Sequence, residues 1–165
     1  MPYGVFEINC EKTADLTING TDEVTFMFSA NKGFAPDNMA KAASGGELSR
    51  LMLAIKSVAA GNNYIPTLIF DEIDTGVSGE VASKIADIMK EMSNTLQLIS
   101  ITHLPQIASK AKNHLFVYKN TEGDKTNSNI RILSKEERIT EIAKMLSNDK
   151  ITAEALKAAE VLITQ

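Results

Sequence analysis

Between Ser44 and Asp74 the chain carries two groups of residues whose types and order suit phosphate chemistry. The first is Ser44-Gly45-Gly46-Glu47-Leu48, set just ahead of a helical pattern. Paired glycines behind a hydroxyl at a helix mouth leave backbone N–H groups bare, and the helix dipole adds partial positive charge, so an anion is favoured there. The second is Thr67-Leu68-Ile69-Phe70-Asp71-Glu72, with Asp74 two residues further on. An apolar run that ends in two acids suits a metal and a water. The first carboxylate, Asp71, can hold Mg²⁺, and the second, Glu72, can orient or deprotonate a nucleophile. Taken alone, the glycines also describe a capped helix start after a tight turn, and the acids a solvated strand end. In this order along one chain they point to nucleotide hydrolysis.

Both groups need elements to position them. Ser44 is a natural N-cap, and Leu48, Leu51, Met52, Ile55 and Val58 recur at helical spacing until Gly61 ends the run. Leu68, Ile69 and Phe70 follow Pro66 without interruption, the pattern of a central parallel strand covered on both faces. That places Asp71 and Glu72 at a strand's carboxyl end, where open α/β sheets hold their ligands. Ser78 can cap a helix bearing Val81, Ile85, Ile88, Met89 and Met92, in which the methionines are core filler. The run 96–101 reads as a second buried strand, ending in Thr102 and His103. In a parallel sheet neighbouring strand ends share one crevice, so His103 is expected near Asp71.

Around this centre the spacing predicts a small antiparallel sheet over the first thirty residues, from the alternation of Phe6 and Ile8, Leu16 and Ile18, then Val24, Phe26 and Phe28, with a turn at Asn19-Gly20. Residues 34–43 read as a loop. After the strands come a helix over 104–111, a strand through Leu115, Val117 and Tyr118, a polar loop over 120–129, and a short strand over 130–133. Ser134 with Glu137 forms a capping box for a helix carrying Ile139, Ile142, Ala143 and Leu146, and a last helix carries Ala155, Leu156, Ala159 and Leu162.

At 165 residues the chain is expected to form one domain, 1–165, and a chain of this size buries about 70% of its unfolded surface without covalent staples. Its 44% hydrophobic and 23% charged residues suit a globular domain rather than a disordered one. No apolar run is long enough to cross a membrane and no signal-peptide pattern opens the chain, so it is read as cytoplasmic, without a membrane partner. The lone Cys10 excludes an internal disulfide and is expected to be buried; with two histidines, no zinc cluster is expected. A net charge of −4 argues against an extensive nucleic-acid surface on this piece. The Gly-x₄-Gly-Lys-Ser/Thr phosphate loop does not occur; Asn31-Lys32-Gly33 does not supply it.

Taken together, these strings resemble the ABC-type ATPases, in the glutamate form used by SMC and Rad50 proteins. Ser44-Gly45-Gly46-Glu47 is similar to the signature motif, residues 68–72 to Walker B, Asp74 to the D-loop and His103 to the switch histidine. The strings 43–50, 71–79 and 101–106 resemble most a branch of this family that acts in bacterial DNA repair. The resemblance implies an α/β fold: the C-terminal lobe of an ATPase head, with a mainly parallel central sheet, flanking helices and the small N-terminal antiparallel sheet. It also implies ATP and Mg²⁺ as cofactors. An N-terminal lobe bearing Walker A, a coiled coil, a second head and, through the whole protein, DNA at the nucleoid are the implied partners. By the same resemblance Asp71 reaches Mg²⁺, Glu72 polarises the attacking water and His103 senses the γ-phosphate. Ser44, Gly45, Gly46 and Glu47 face a nucleotide held by the opposite head, and Asp74 lines the interface between heads. The departure is the missing Walker A, so the chain is expected to be a fragment inactive by itself. Two other readings stay open: Asp71 and Asp74 as a metal pair in a nuclease or topoisomerase-primase-like site, and a non-catalytic dimerisation lobe.

Overall fold

A computed structural model of the chain describes residues 3–42, 44–60, 65–122, 125–147 and 150–164, so Gly61, the expected helix stop, lies outside them. They fall into two compact units, Met1–Met52 and Leu53–Gln165.

The first unit is built on a hairpin. Strands β1 (Val5–Thr17) and β2 (Gly20–Ser29) pair antiparallel, and β3 (Asp37–Asn38) adds to the β2 edge. The Asn19-Gly20 turn forms as expected, with Gly20 at φ +98°, a conformation that a side chain would strain. Phe6 stacks on Phe26 with ring centroids 5.9 Å apart, and Phe28 is buried. Two expectations fail here for one reason: a two-stranded ribbon leaves a face open to solvent. Leu16 and Ile18 sit exposed at the hairpin tip, and Cys10 is exposed rather than buried. The expected loop over 34–43 contains β3 and a single helical turn, α1 (Met39–Ala42).

Helix α2 (Gly45–Ala60) begins where the N-cap Ser44 places it, and it runs on into the second unit. There Leu53 and Ala60 join a core with Leu68 and Phe70 of β4 (Thr67–Asp71), five residues of α3 (Gly79–Met92), and Ile107 of α4 (Pro105–Lys110). The expected stripe is displaced along α2: Leu51 is buried, but Leu48, Met52 and Ile55 are part-exposed and Val58 is open. In α3 the buried set is Ala82, Ile85, Ala86, Met89 and Met92, which bears out the methionines as core filler while leaving Val81 and Ile88 outside. Ser78 holds the N-cap position of α3 in extended geometry, without a side-chain cap bond.

Strand β4 pairs parallel with β5 (Gln97–Ile101), with Asp71 opposite Ile101. The strand is not covered on both faces. Leu68 and Phe70 face the core, whereas Ile69, at 64% exposure, lies open with Ile99 and Ile101 on the other side. Helices pack on only one side of this pair among the described residues, so the apolar run serves two different faces.

Strands β6 (Leu115–Glu122) and β7 (Lys125–Ile132) form an antiparallel hairpin, replacing the expected polar loop over 120–129. Asn120 stands opposite Asn127 and Thr121 opposite Thr126, whose hydroxyls hydrogen-bond at 3.3 Å. Helices α5 (Lys135–Ser147) and α6 (Ala153–Thr164) pack with α4 through Ala108, Ile142, Ala143, Ala155 and Ala159, small residues that let helix axes approach. The Ser134–Glu137 capping box is present: Ser134 N–H donates to Glu137 Oε2 at 2.8 Å and Glu137 N–H to Ser134 Oγ at 3.2 Å.

Arg138 of α5 donates from Nη2 to the carbonyls of Ala108, Ser109 and Ala111, tying down the C-terminal end of α4. Nearby, burial and then the Arg138 cation push half-buried His114 below the ordinary histidine range, against an opposing pull from Glu141. A lowered native value means that the unfolded chain takes up a proton more readily. His114 therefore contributes fully to stability above about pH 6.5, and the contribution is lost progressively below it, as pH falls through the lowered native value. Thermal midpoints at about pH 7.5 and about pH 5.5 check this: the loss on acidification is expected to be smaller in His114→Gln than in the unaltered chain.

Candidate functional site

The geometry of β4 and β5 determines where the acids go. Both strands run the same way, so Asp71 and Glu72 at the end of one lie beside Thr102 and His103 at the end of the other. Glu72 continues the ladder by one bond, its N–H donating to the Ile101 carbonyl at 3.1 Å. It then departs from it: Glu72 is at φ +48°, and it is the one non-glycine residue with positive φ among the described residues. Such a conformation costs about 1–3 kcal/mol and persists only where surrounding bonds impose it. Here the Thr75 N–H, at 3.2 Å, and the Thr75 hydroxyl, at 2.9 Å, both donate to the Glu72 carbonyl. The ladder ends there, and both Asp71 and Glu72 stand exposed.

The next residues turn inward. Ile73 and Val77 are buried, and Asp74 is 1% exposed. Its Oδ2 accepts a very short hydrogen bond from the Thr102 hydroxyl and lies 3.9 Å from His103 Nδ1, while its Oδ1 has no partner among the described residues. Thr102 Oγ1 accepts in turn from the Leu104 N–H at 3.0 Å. His103 is 67% exposed, with Nδ1 toward Asp74. Asp71, Glu72, Asp74 and His103, separated by up to 32 positions in sequence, thus share one sheet end. Gly76, at φ +72°, and Gly79, at φ +55°, shape the turn that leads from these acids into α3.

Ser44, Gly45, Gly46 and Glu47 lie in the first unit and open α2. Ser44 and Glu47 form a capping box. Ser44 N–H and its hydroxyl donate to Glu47 Oε2 at 2.9 and 2.8 Å, and Glu47 N–H donates to Ser44 Oγ at 3.4 Å. The Ser44 N–H first, and then the hydroxyl, hold the Glu47 carboxyl below the usual carboxylate range. A Cβ built at Gly45 would meet nothing within 4 Å, and Gly45 lies outside the left-handed region. Nothing in this fold demands glycine there.

Sequence reasoning missed Thr102 and Thr75. Thr102 carried a faint signal, as a hydroxyl between a strand end and His103; Thr75 carried none, since its role depends on the turn made by Glu72. Among the described residues, no group of three or more acids, histidines or cysteines able to hold a metal occurs. A single exposed strand-end carboxylate does suit Mg²⁺, which takes one or two carboxylates and completes its shell with water and phosphate oxygens.

No protein-family model matches the chain. It is 42% identical over 158 residues to the DNA repair protein RecN of Rickettsia typhi, covering 96% of this chain and 28% of that protein. RecN of Bacillus subtilis is likewise 42% identical, over 91% of this chain and 26% of that protein. Among solved structures, the Smc head domain of Pyrococcus yayanosii, with a coiled coil and joint, superposes with a TM-score of 0.68 at 24% identity, covering 90% of this chain and 26% of that one. The chain spans a little over a quarter of the RecN proteins that it matches. Over nearly its whole length, then, the chain is homologous to one segment of the RecN proteins and has the fold of the Smc head domain.

Proposed function

We propose that this chain is the C-terminal lobe of a RecN-like ATPase head that acts in recombinational DNA double-strand break repair. It supplies the acidic and γ-phosphate-facing parts of a nucleotide pocket and takes the remainder from an N-terminal lobe and a second head. The observation that carries this reading is Glu72. Its backbone, at positive φ, is held by bonds to Ile101 and Thr75 at the carboxyl end of a parallel strand, and its exposed carboxylate there, with Asp71 the preceding residue, supports a general base beside a Mg²⁺ ligand.

In this reading the bound Mg²⁺ and ATP supply the electrophilic phosphorus and the neutralising charge. The chain's own residues do the positioning. Glu72 orients water and takes its proton, Asp71 holds the cation, and His103 presents its exposed imidazole to the γ-phosphate. Ser44, Gly45 and Gly46 offer a hydroxyl and bare N–H groups to the nucleotide of the opposite head. Glu47 preorganises that mouth through its capping box. Asp74 supports the loop at the interface between heads. ATP joins two heads, hydrolysis releases them, and the coiled coils of the whole protein carry the change to DNA at the nucleoid.

The chain has no phosphate loop to cradle the β- and γ-phosphates, so it is expected to turn over almost no ATP alone and to gain activity when a lobe bearing Walker A is added. Steady-state phosphate release, with and without that lobe, tests this. Robust hydrolysis by the chain alone, or none after completion of the head, would count against the proposal.

A further inference from the structure

Asp74 is the only fully buried ionisable side chain among the described residues. A carboxylate withdrawn from water needs partners, and the His103 ring lies 3.9 Å from it. The remaining contacts run through residues 102–104: the Thr102 hydroxyl donates to Asp74 Oδ2, and the Leu104 N–H donates to the same hydroxyl oxygen at 3.0 Å. The loop after β4 and the turn after β5 are thereby joined at one carboxylate. That carboxylate lies on the Nδ1 side of the His103 ring, 3.9 Å away, while two-thirds of the side chain is open to solvent. A bare Nδ1 lone pair facing Oδ2 would be repelled, and an N–H would be attracted.

We propose that Asp74 is a positioning residue for His103. It fixes the backbone of 102–104 through Thr102 and selects the imidazole form that carries its proton on Nδ1, leaving the Nε2 lone pair outward, where it takes a proton before it can donate to a phosphate oxygen. This deepens the role proposed above for His103 and rests on it only for the identity of the outer ligand. It also makes the 71–77 loop and His103 one mechanical piece: whatever displaces Asp74 displaces the imidazole.

The test uses the full chain labelled with ¹⁵N-histidine, in which only His103 and His114 give signals. Two-bond proton–nitrogen correlations at alkaline pH report which ring nitrogen holds the proton. The Nδ1–H form is expected to predominate at His103. Asp74→Ala and Asp74→Ser are expected to abolish that preference in favour of the Nε2–H form of free imidazole, and Thr102→Ser, which keeps the hydroxyl, is expected to retain it. Unchanged His114 signals report an intact fold, and where the alanine variant does not fold the serine variant decides. A preference that survives removal of the carboxylate, or an Nε2–H majority in the unaltered chain, overturns the proposal. In a head completed with a Walker A lobe, Asp74→Ala is expected to lower turnover about 10- to 100-fold, the scale of a misplaced reacting group. If the preference is lost and turnover is unchanged, Asp74's hold on the ring stands and the assignment of His103 to the ATP site falls.

Discussion

Glu72→Gln is expected to lower ATP turnover in a completed head by about 10²- to 10⁴-fold, the contribution of a positioned general base, and to leave the ATP-joined pair of heads intact. The substitution is selective because of how Glu72 is held. Its N–H bond to Ile101 and the two bonds that its carbonyl accepts from Thr75 belong to the backbone, and glutamine keeps all of them. The positive φ is imposed by those bonds and applies equally to either residue. What changes is one atom: an amide cannot take the proton of a water. In the proposed function, nucleotide binding and head pairing draw on Ser44 to Gly46, Asp71 and the N-terminal lobe, so they should survive. Single-turnover phosphate release paired with sedimentation in ATP reads both quantities. Loss of pairing together with turnover would show that Glu72 holds the nucleotide, and normal turnover would remove it from the chemistry.

The strand-end acids were legible because their signal is local. An apolar run ending in Asp71 and Glu72 states both the strand and its terminus, and parallel pairing then brings His103 alongside. Caps are equally local: the Ser134–Glu137 box forms as its spacing implies, and Ser44, expected as an N-cap, forms one with Glu47 as well. Failures came where a residue's neighbour is set by tertiary context. Ile69 reads as core from its own strand, yet its face of the sheet is open. Asn120 and Thr121 read as loop because polar residues seldom fill strands, yet Asn127 and Thr126 opposite make a ribbon of them. Asp74 reads only as a residue of the turn beyond the acids; that it is buried against Thr102 follows a kink at Glu72 that no spacing rule encodes. A residue in left-handed geometry redirects everything after it.

The same division between local and imposed requirements separates Gly45 from the glycines of the turns. Gly20, Gly76 and Gly79 sit at positive φ, where a side chain would strain the backbone. Gly45 does not, and a Cβ there meets open space. Gly45→Ala is therefore expected to leave the thermal midpoint of this chain unchanged or raise its stability by up to about 1 kcal/mol, since alanine loses less freedom than glycine in a helix. In paired heads the expectation reverses. A methyl forced between the α2 mouth and a nucleotide on the opposite head costs about 1–3 kcal/mol, as overpacking does in a close-fitted interior. That weakens ATP-dependent pairing roughly 5- to 150-fold. Sedimentation of completed heads with and without ATP, set beside melting of the chain alone, separates the two effects. A variant that melts normally and pairs normally would mean that no phosphate reaches this helix mouth, because glycine would then be needed neither by the fold nor by a partner.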